Sequence, residues 1–155
     1  MTALLIFIFW ASVVFVIYSY TIYPVLLTIF SHLFARPVKS QENYCPSVGV
    51  LVPCHNEESV IRKKIENILS LDYPADRISV WVGSDASVDN SEKIVRDFQD
   101  PRVHLWVAEK RGGKTGVLNG LAPLIDAEII LFTDANTIHQ KDCLKYMTAH
   151  YADPA

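Results

Sequence analysis

No aspartate, glutamate, lysine or arginine occurs in the first 35 residues, although the 155-residue sequence carries 14 basic and 17 acidic side chains. Every charged side chain therefore follows Ala35. A stretch this long without charge is excluded as a solvated surface, so the two parts of the chain expect different solvents. Cysteine is scarce: Cys45, Cys54 and Cys143 are odd in number and lack metal-ligand spacing, which argues against a disulfide framework or a zinc site. They read as reduced thiols of a cytosolic compartment. No basic run exists and the formal net charge is -3, which argues against a nucleic-acid partner. There is no internal repeat and no low-complexity segment.

What the first part does contain is an apolar run over residues 4–34, longer than the roughly 20 residues a helix needs to cross a bilayer. One crossing is expected. Tyr18, Tyr20 and Tyr23 suit an interfacial aromatic belt, Pro24 permits a kink, and residues 25–34 can continue as a tilted or interfacial extension. Arg36 and Lys39 follow the span and nothing charged but the terminus precedes it, so the positive-inside rule places the rest on the cytoplasmic side of the cell membrane. A cleaved signal peptide would need a basic start and a shorter apolar core, and this segment has neither. The expected organisation is an anchor over residues 1–36, a linker over 37–47 and an α/β domain over 48–155.

Within that domain short apolar runs alternate with helical periodicities. Val48 to Val52 reads as a strand stopped by Pro53-Cys54-His55-Asn56-Glu57. Ile61, Ile65, Ile68 and Leu69 recur at helical spacing until Asp72-Tyr73-Pro74. Ile78 to Val82 is a second strand with Gly83-Ser84-Asp85-Ala86-Ser87 as its exit. Ser91 is placed to cap a helix with Ile94, Val95 and Phe98, and Val103 to Val107 is a third strand. Gly112-Gly113 opens a helix with Val117, Leu118, Leu121 and Leu124. The run from Ile129 to Phe132, ending in Thr133-Asp134-Ala135-Asn136, reads as a strand buried on both faces, with a further helix beginning near Gln140. Such alternation predicts a Rossmann-like, mainly parallel sheet with helices on both faces.

Ligands of open α/β sheets bind beyond the carboxyl ends of the strands. Three loops fall there: residues 53–57, 84–87 and 134–136, with Lys110, Arg111 and Lys114 near the start of the intervening helix. Each residue singly suits a turn, a cap or a solvated loop. Together they offer an acceptor for a base or ribose (Asp85), cations and a helix N-terminus for phosphate, and oxygen donors for a hard divalent cation in Asp134 and Asn136. This is the inventory of a nucleoside-diphosphate site. A P-loop phosphohydrolase competes, because Gly113-Lys114-Thr115 sits between strand and helix. The spacing fails: the P-loop glycine would stand at Ala108.

The motifs Val50-Leu51-Val52-Pro53-Cys54-His55-Asn56-Glu57, Leu71-Asp72-Tyr73-Pro74, Ser84-Asp85-Ala86-Ser87-Val88-Asp89, Gly113-Lys114 through Leu118-Asn119, and Thr133-Asp134-Ala135-Asn136 occur in this order. In that set the domain resembles glycosyltransferase family 2, the inverting enzymes of the GT-A fold, and especially its membrane-bound polysaccharide synthases. The resemblance implies a UDP-sugar donor, a glycan acceptor and Mg²⁺ or Mn²⁺. By it, Asp85 meets the uracil, and Pro53, His55, Asn56 and Glu57 lie in the loop lining the nucleotide. Lys114 lies near the diphosphate, and Asp134 with Asn136 takes the place of the Asp-x-Asp metal motif. Asn136 departs from the commoner second aspartate, offering a carbonyl oxygen without charge. The resemblance also implies that the catalytic base and the Gln-x-x-Arg-Trp motif belong to an acceptor half beyond residue 155, in a further segment or a second chain. An exposed sheet edge is expected where that half would dock. A membrane-tethered nucleotide-binding module without catalysis is the alternative expectation.

Overall fold

The computed structural model describes residues 1–35, 40, 41 and 43–153. Arg36 and Lys39, which carry the sidedness argument, lie outside the described residues, as does part of the expected linker. Two compact units, Met1–Val38 and Lys39–Ala155, are each described by themselves.

The first unit is helical from Thr2 to Leu33, comprising α1 (Thr2–Ile17), a π-helical turn (Tyr18–Ile22) and α2 (Tyr23–Leu33). At about 1.5 Å per residue the run is longer than the roughly 30 Å of a bilayer's hydrocarbon core. None of its side chains is buried within the chain, and the helix is long and apolar enough to cross a membrane. Pro24 opens α2 instead of breaking the run. A proline ring clashes with the carbonyl four residues back, and the wide π turn preceding it changes the hydrogen-bond register where that clash would fall. Three hydroxyls inside the run bond back to its own carbonyls: Ser12 to Ile8 at 2.8 Å, Thr28 to Pro24 at 2.9 Å and Ser31 to Thr28 at 2.9 Å. An apolar surrounding requires this.

The second unit is a four-stranded parallel sheet of β1 (Val48–Cys54), β2 (Ile78–Ser84), β3 (Val103–Val107) and β4 (Ile129–Phe132), in the order β3-β2-β1-β4. Helices α3 (Ile61–Leu69), α4 (Ser91–Arg96), α5 (Gly113–Leu121) and α6 (Cys143–Ala149) complete it. Alternation along the strands makes two cores. Val50, Val52, Val80 and Val82 face Ile61, Ile65 and Ile68 of α3 and Val95 of α4, all at most 3 % exposed. Leu51, with Trp81, Trp106 and Ile130, faces Leu121 of α5 and the Ile125 that follows it. Gly83 permits the close seat of α5: a Cβ there would stand 2.2 Å from Cγ1 of Val117. The chain runs β1 to β2 to β3 in one direction and then returns to place β4 on the other side of β1. The crevice between β1 and β4 is thus the topological switch point.

Four local expectations are corrected. β4 is half-buried, Phe132 is 52 % exposed, and among the described residues β4 pairs only with β1. The strands flanked on both sides are β1 and β2, and β1 is the more fully covered, buried at every position but Pro53. β1 and β2 run two residues further than their apolar runs, through Cys54 and Ser84, because register pairing Pro53 with Gly83 and Cys54 with Ser84 carries them on. Pro53 fits because Leu51, of the same parity, turns its backbone toward β4 and accepts from Thr133 there at 3.1 Å; at Pro53 that ladder has already ended. Ser91 does not cap α4: its hydroxyl donates to Asp89 at 2.5 Å and accepts the Glu57 N–H at 2.8 Å. The final helix starts at Cys143, because residues 140–142 form a turn closed by the Cys143 N–H on the Gln140 carbonyl at 3.1 Å.

Candidate active site

The loops after β1 and β2 hold each other. Asn56 has the left-handed φ of 57°, which asparagine tolerates, and its Oδ1 accepts the Val88 N–H at 2.9 Å. Its own N–H donates to Ser87 Oγ at 3.2 Å, and the Glu58 N–H donates to Asp89 at 3.1 Å. Glu58 Oε2 accepts both the N–H and the side-chain amide of Asn90 at 3.0 Å. Ser87, Asp89 and Asn56 thereby act as a clasp. His55 Nδ1 lies 2.8 Å from the Asp85 carbonyl. A carbonyl can only accept, so Nδ1 carries the proton and Nε2 is left as an acceptor in the neutral ring.

Asp85 is 5 % exposed. Its Oδ1 accepts the Gly112 N–H at 2.7 Å and its Oδ2 the Gly113 N–H at 3.0 Å, with Arg111 Nε at 4.0 Å. Gly113 has a φ of 73°, which a side chain would strain. The carboxylate at the start of α5 is also favoured by the helix dipole. Two of the amides expected to meet phosphate are therefore held by Asp85, which keeps further lone pairs for another donor.

Asp134 follows β4 and is exposed, its carboxylate paired with Lys114 Nζ at 2.5 Å. A cleft of about 240 Å³ is lined by Pro53, His55, Glu57, Asp85, Lys114, Asp134 and Asn136, together with Cys54, Val117 and Ala135. It brings together residues of all three loops, but not Asn56, whose place is in the clasp. Of the three cations named from sequence only Lys114 lines it. Burial pushes the Cys54 thiol up, which favours its protonated form.

Sequence reasoning missed the layer beneath the Asp134 turn. Lys64 of α3 is 0 % exposed, and its Nζ donates to Thr133 Oγ1 at 2.8 Å, the Thr137 carbonyl at 2.9 Å and Thr137 Oγ1 at 2.8 Å. Desolvation pushes its pKa down to about 8, while the Asp134 charge pulls the other way. Asn67 brackets His139, donating to its carbonyl at 2.9 Å and accepting its N–H at 2.8 Å, and His139 Nε2 reaches Thr133 Oγ1 at 3.0 Å. Burial, then the Lys64 charge, lowers the His139 pKa, keeping it neutral. The available signal was a lysine on the apolar stripe of α3, three residues after Ile61 and four before Ile68.

Among the described residues no group of three or more histidine, cysteine or acidic side chains is placed to hold a metal. Asp134 and Asn136 are nevertheless two hard oxygen donors one residue apart on the cleft wall. That suits an ion that keeps waters and takes further ligands from a diphosphate, as Mg²⁺ does.

The sequence profile of Glycosyl transferase family 2 matches residues 49–155. The chain belongs to that family. Family 2 relatives include a beta-monoglucosyldiacylglycerol synthase of Trichormus variabilis, 34 % identical over 122 residues, covering 74 % of this chain and 26 % of the relative. A poly-beta-1,6-N-acetyl-D-glucosamine synthase of Staphylococcus epidermidis is 30 % identical over 111 residues, covering 71 % and 26 %. The chain thus spans about a quarter of the length of these relatives. Among solved structures, a mannosyltransferase of Pyrobaculum calidifontis in complex with GDP-Man and Mn²⁺ aligns over 84 % of this chain and 40 % of its own, with a TM-score of 0.72 and 32 % identity. S. aureus TarS 1-349 in complex with UDP aligns over 66 % and 31 %, with a TM-score of 0.62 and 25 % identity. Family 2 membership sets the P-loop expectation aside, in agreement with the failed glycine spacing.

Proposed function

We propose that this family 2 chain is the membrane anchor and donor-binding half of a glycosyltransferase that moves a sugar from a UDP-sugar to a glycan acceptor, with inversion, at the cytoplasmic face of the cell membrane. The observation that carries the reading is the cleft at the β1/β4 switch point, where Asp85, Lys114, Asp134 and Asn136 share one wall system. The Mn²⁺ and GDP-Man of the Pyrobaculum relative and the UDP of TarS support the chemistry by likeness.

In this reading the clasped loops after β1 and β2 bind the nucleoside, with His55, Glu57 and the free lone pairs of Asp85 toward the base and ribose. Lys114 leaves Asp134 and meets the diphosphate, exchanging one anion for another. Asp134 and Asn136 hold Mg²⁺ or Mn²⁺, which when bound offsets the charge gathering on the departing diphosphate. The acceptor hydroxyl attacks the anomeric carbon from the opposite side, the bond from that carbon to the diphosphate oxygen breaks, and the hydroxyl proton passes to a base. That base belongs to an acceptor half outside these residues, in a further segment or second chain, and none of the cleft residues is assigned to it.

Isothermal titration of UDP, GDP and ATP into the full chain in detergent, with Mn²⁺ and then with chelator, tests this. Metal-enhanced binding of UDP over GDP and ATP is expected. Preference for GDP would correct the donor, and silence for all three would contradict the donor site.

A further inference from the structure

Behind the metal turn lies a polar plug that the proposed chemistry does not touch. Lys64 Nζ directs its donors at Thr133 Oγ1, Thr137 O and Thr137 Oγ1, the two residues that bracket Asp134–Asn136. Thr137 Oγ1 lies 2.9 Å from the Asp134 carbonyl, which can only accept, so the Thr137 hydroxyl proton points there. Thr133 and Thr137 Oγ1 atoms are 2.9 Å apart. One arrangement satisfies every group: the Thr133 hydroxyl donates to Thr137 Oγ1, and a neutral His139 donates from Nε2 to Thr133 Oγ1. Lys64 is then the root of a relay running from its ammonium through Thr137 to the backbone of Asp134. No buried side-chain polar atom among the described residues lacks a partner, so the plug is complete. An ammonium with no exposure is costly in an otherwise apolar helix face, and a plain structural need would be met by an aliphatic residue.

We propose that Lys64 is a positioning residue for the Asp134–Asn136 turn, holding the two oxygen donors in the shape that takes a divalent cation with the donor diphosphate. The inference rests on the donor-site reading above. It assigns α3, and not only the strand ends, a part in metal binding.

The test compares the full chain with Lys64→Met, which keeps the length and removes all donors, and Thr137→Val, which keeps Lys64 and cuts the relay to Asp134. UDP affinity is titrated with Mn²⁺ and with chelator, beside thermal unfolding of each variant and an Asp134→Ala reference. Both variants are expected to lose about tenfold or more of the Mn²⁺-dependent gain in UDP affinity, as outer partners of metal ligands do, with metal-free affinity unchanged. An undiminished gain in either folded variant, with the gain abolished in Asp134→Ala, overturns the role of Lys64 and leaves the donor site standing. Equal losses with and without metal overturn it too, since they mark a general packing defect. No Mn²⁺-dependent gain in the unaltered chain overturns both the donor-site reading and this one. Should Lys64→Met fail to fold, Thr137→Val decides.

Discussion

Asp85 and Asp134 follow parallel strands at the same end of one sheet, yet they live under opposite conditions. The Asp85 side chain is 7 % exposed and fixed by two backbone amides, while the Asp134 side chain is 55 % exposed and paired with an exposed cation, Lys114. Backbone donors cannot swing away, so the first carboxylate is bound into the architecture of α5. A lysine can leave, so the second can exchange partners when a ligand arrives. In the proposed reading the difference separates a preformed nucleoside wall from a turn whose charge is open to a metal, and it is the turn, not the wall, that rests on the buried Lys64.

The largest effect is expected at Asp85. In Asp85→Ala the Gly112 and Gly113 amides lose charge-assisted bonds, at a cost of about 3 kcal/mol in urea unfolding. UDP binding should fall with and without metal alike. A variant that kept full stability would erase the contrast between the two carboxylates.

Lys64 gives an effect of similar size with a defined pH course. Its folded pKa of about 8 lies below its ordinary value of 10.5, so between those pH values the unfolded chain holds the proton more tightly. The stability of the chain relative to Lys64→Met should therefore rise as pH climbs from about 8 to 10.5, by at most on the order of 3 kcal/mol, while the raised Cys54, Cys143 and Tyr73 groups act in the opposite sense in both chains. Chemical unfolding at a series of pH values reads this directly.

Gly83→Ala comes next. A Cβ at 2.2 Å from Val117 must push α5 off β2, costing about 1–3 kcal/mol and displacing Lys114 with the helix. Unfolding midpoints and UDP titration should move together.

Lys114→Ala should change stability least, by under about 1 kcal/mol, since its ion pair is exposed. Its binding effects should split in sign. Mn²⁺ affinity of the nucleotide-free chain rises because Asp134 is released, while UDP affinity with Mn²⁺ falls because a diphosphate cation is gone. A fall in both would mean that Lys114 shapes the turn instead of exchanging with its ligand.

Much of this arrangement was legible before the structure, for physical reasons that differ by residue. Ile61, Ile65 and Ile68 announced α3 because a helix buries one stripe, and the sheet followed from short apolar runs ending in turn residues. The position of β4 was not legible: the apolar run Ile129–Phe132 reports affinity for a core but not which strand lies beside it, and β1 and β2 took the interior places. Convergence of the loops on one cleft followed from topology alone. The pairing of Lys114 with Asp134 across 20 residues, the capping of α5 by Asp85, and the plug rooted in Lys64 depend on tertiary proximity that no local period carries. That Asn56 joins the two loops was not legible either, because its left-handed φ and its bond to the Val88 N–H are properties of the folded turn.

The most direct measurement is the affinity of UDP for the full chain and for Asp134→Ala, each with Mn²⁺ and with chelator. The account predicts that the unaltered chain gains affinity with Mn²⁺ and that Asp134→Ala binds UDP as the unaltered chain does in chelator, whether or not Mn²⁺ is present. A Mn²⁺-dependent gain that survives in Asp134→Ala would contradict the assignment of the metal to the turn after β4.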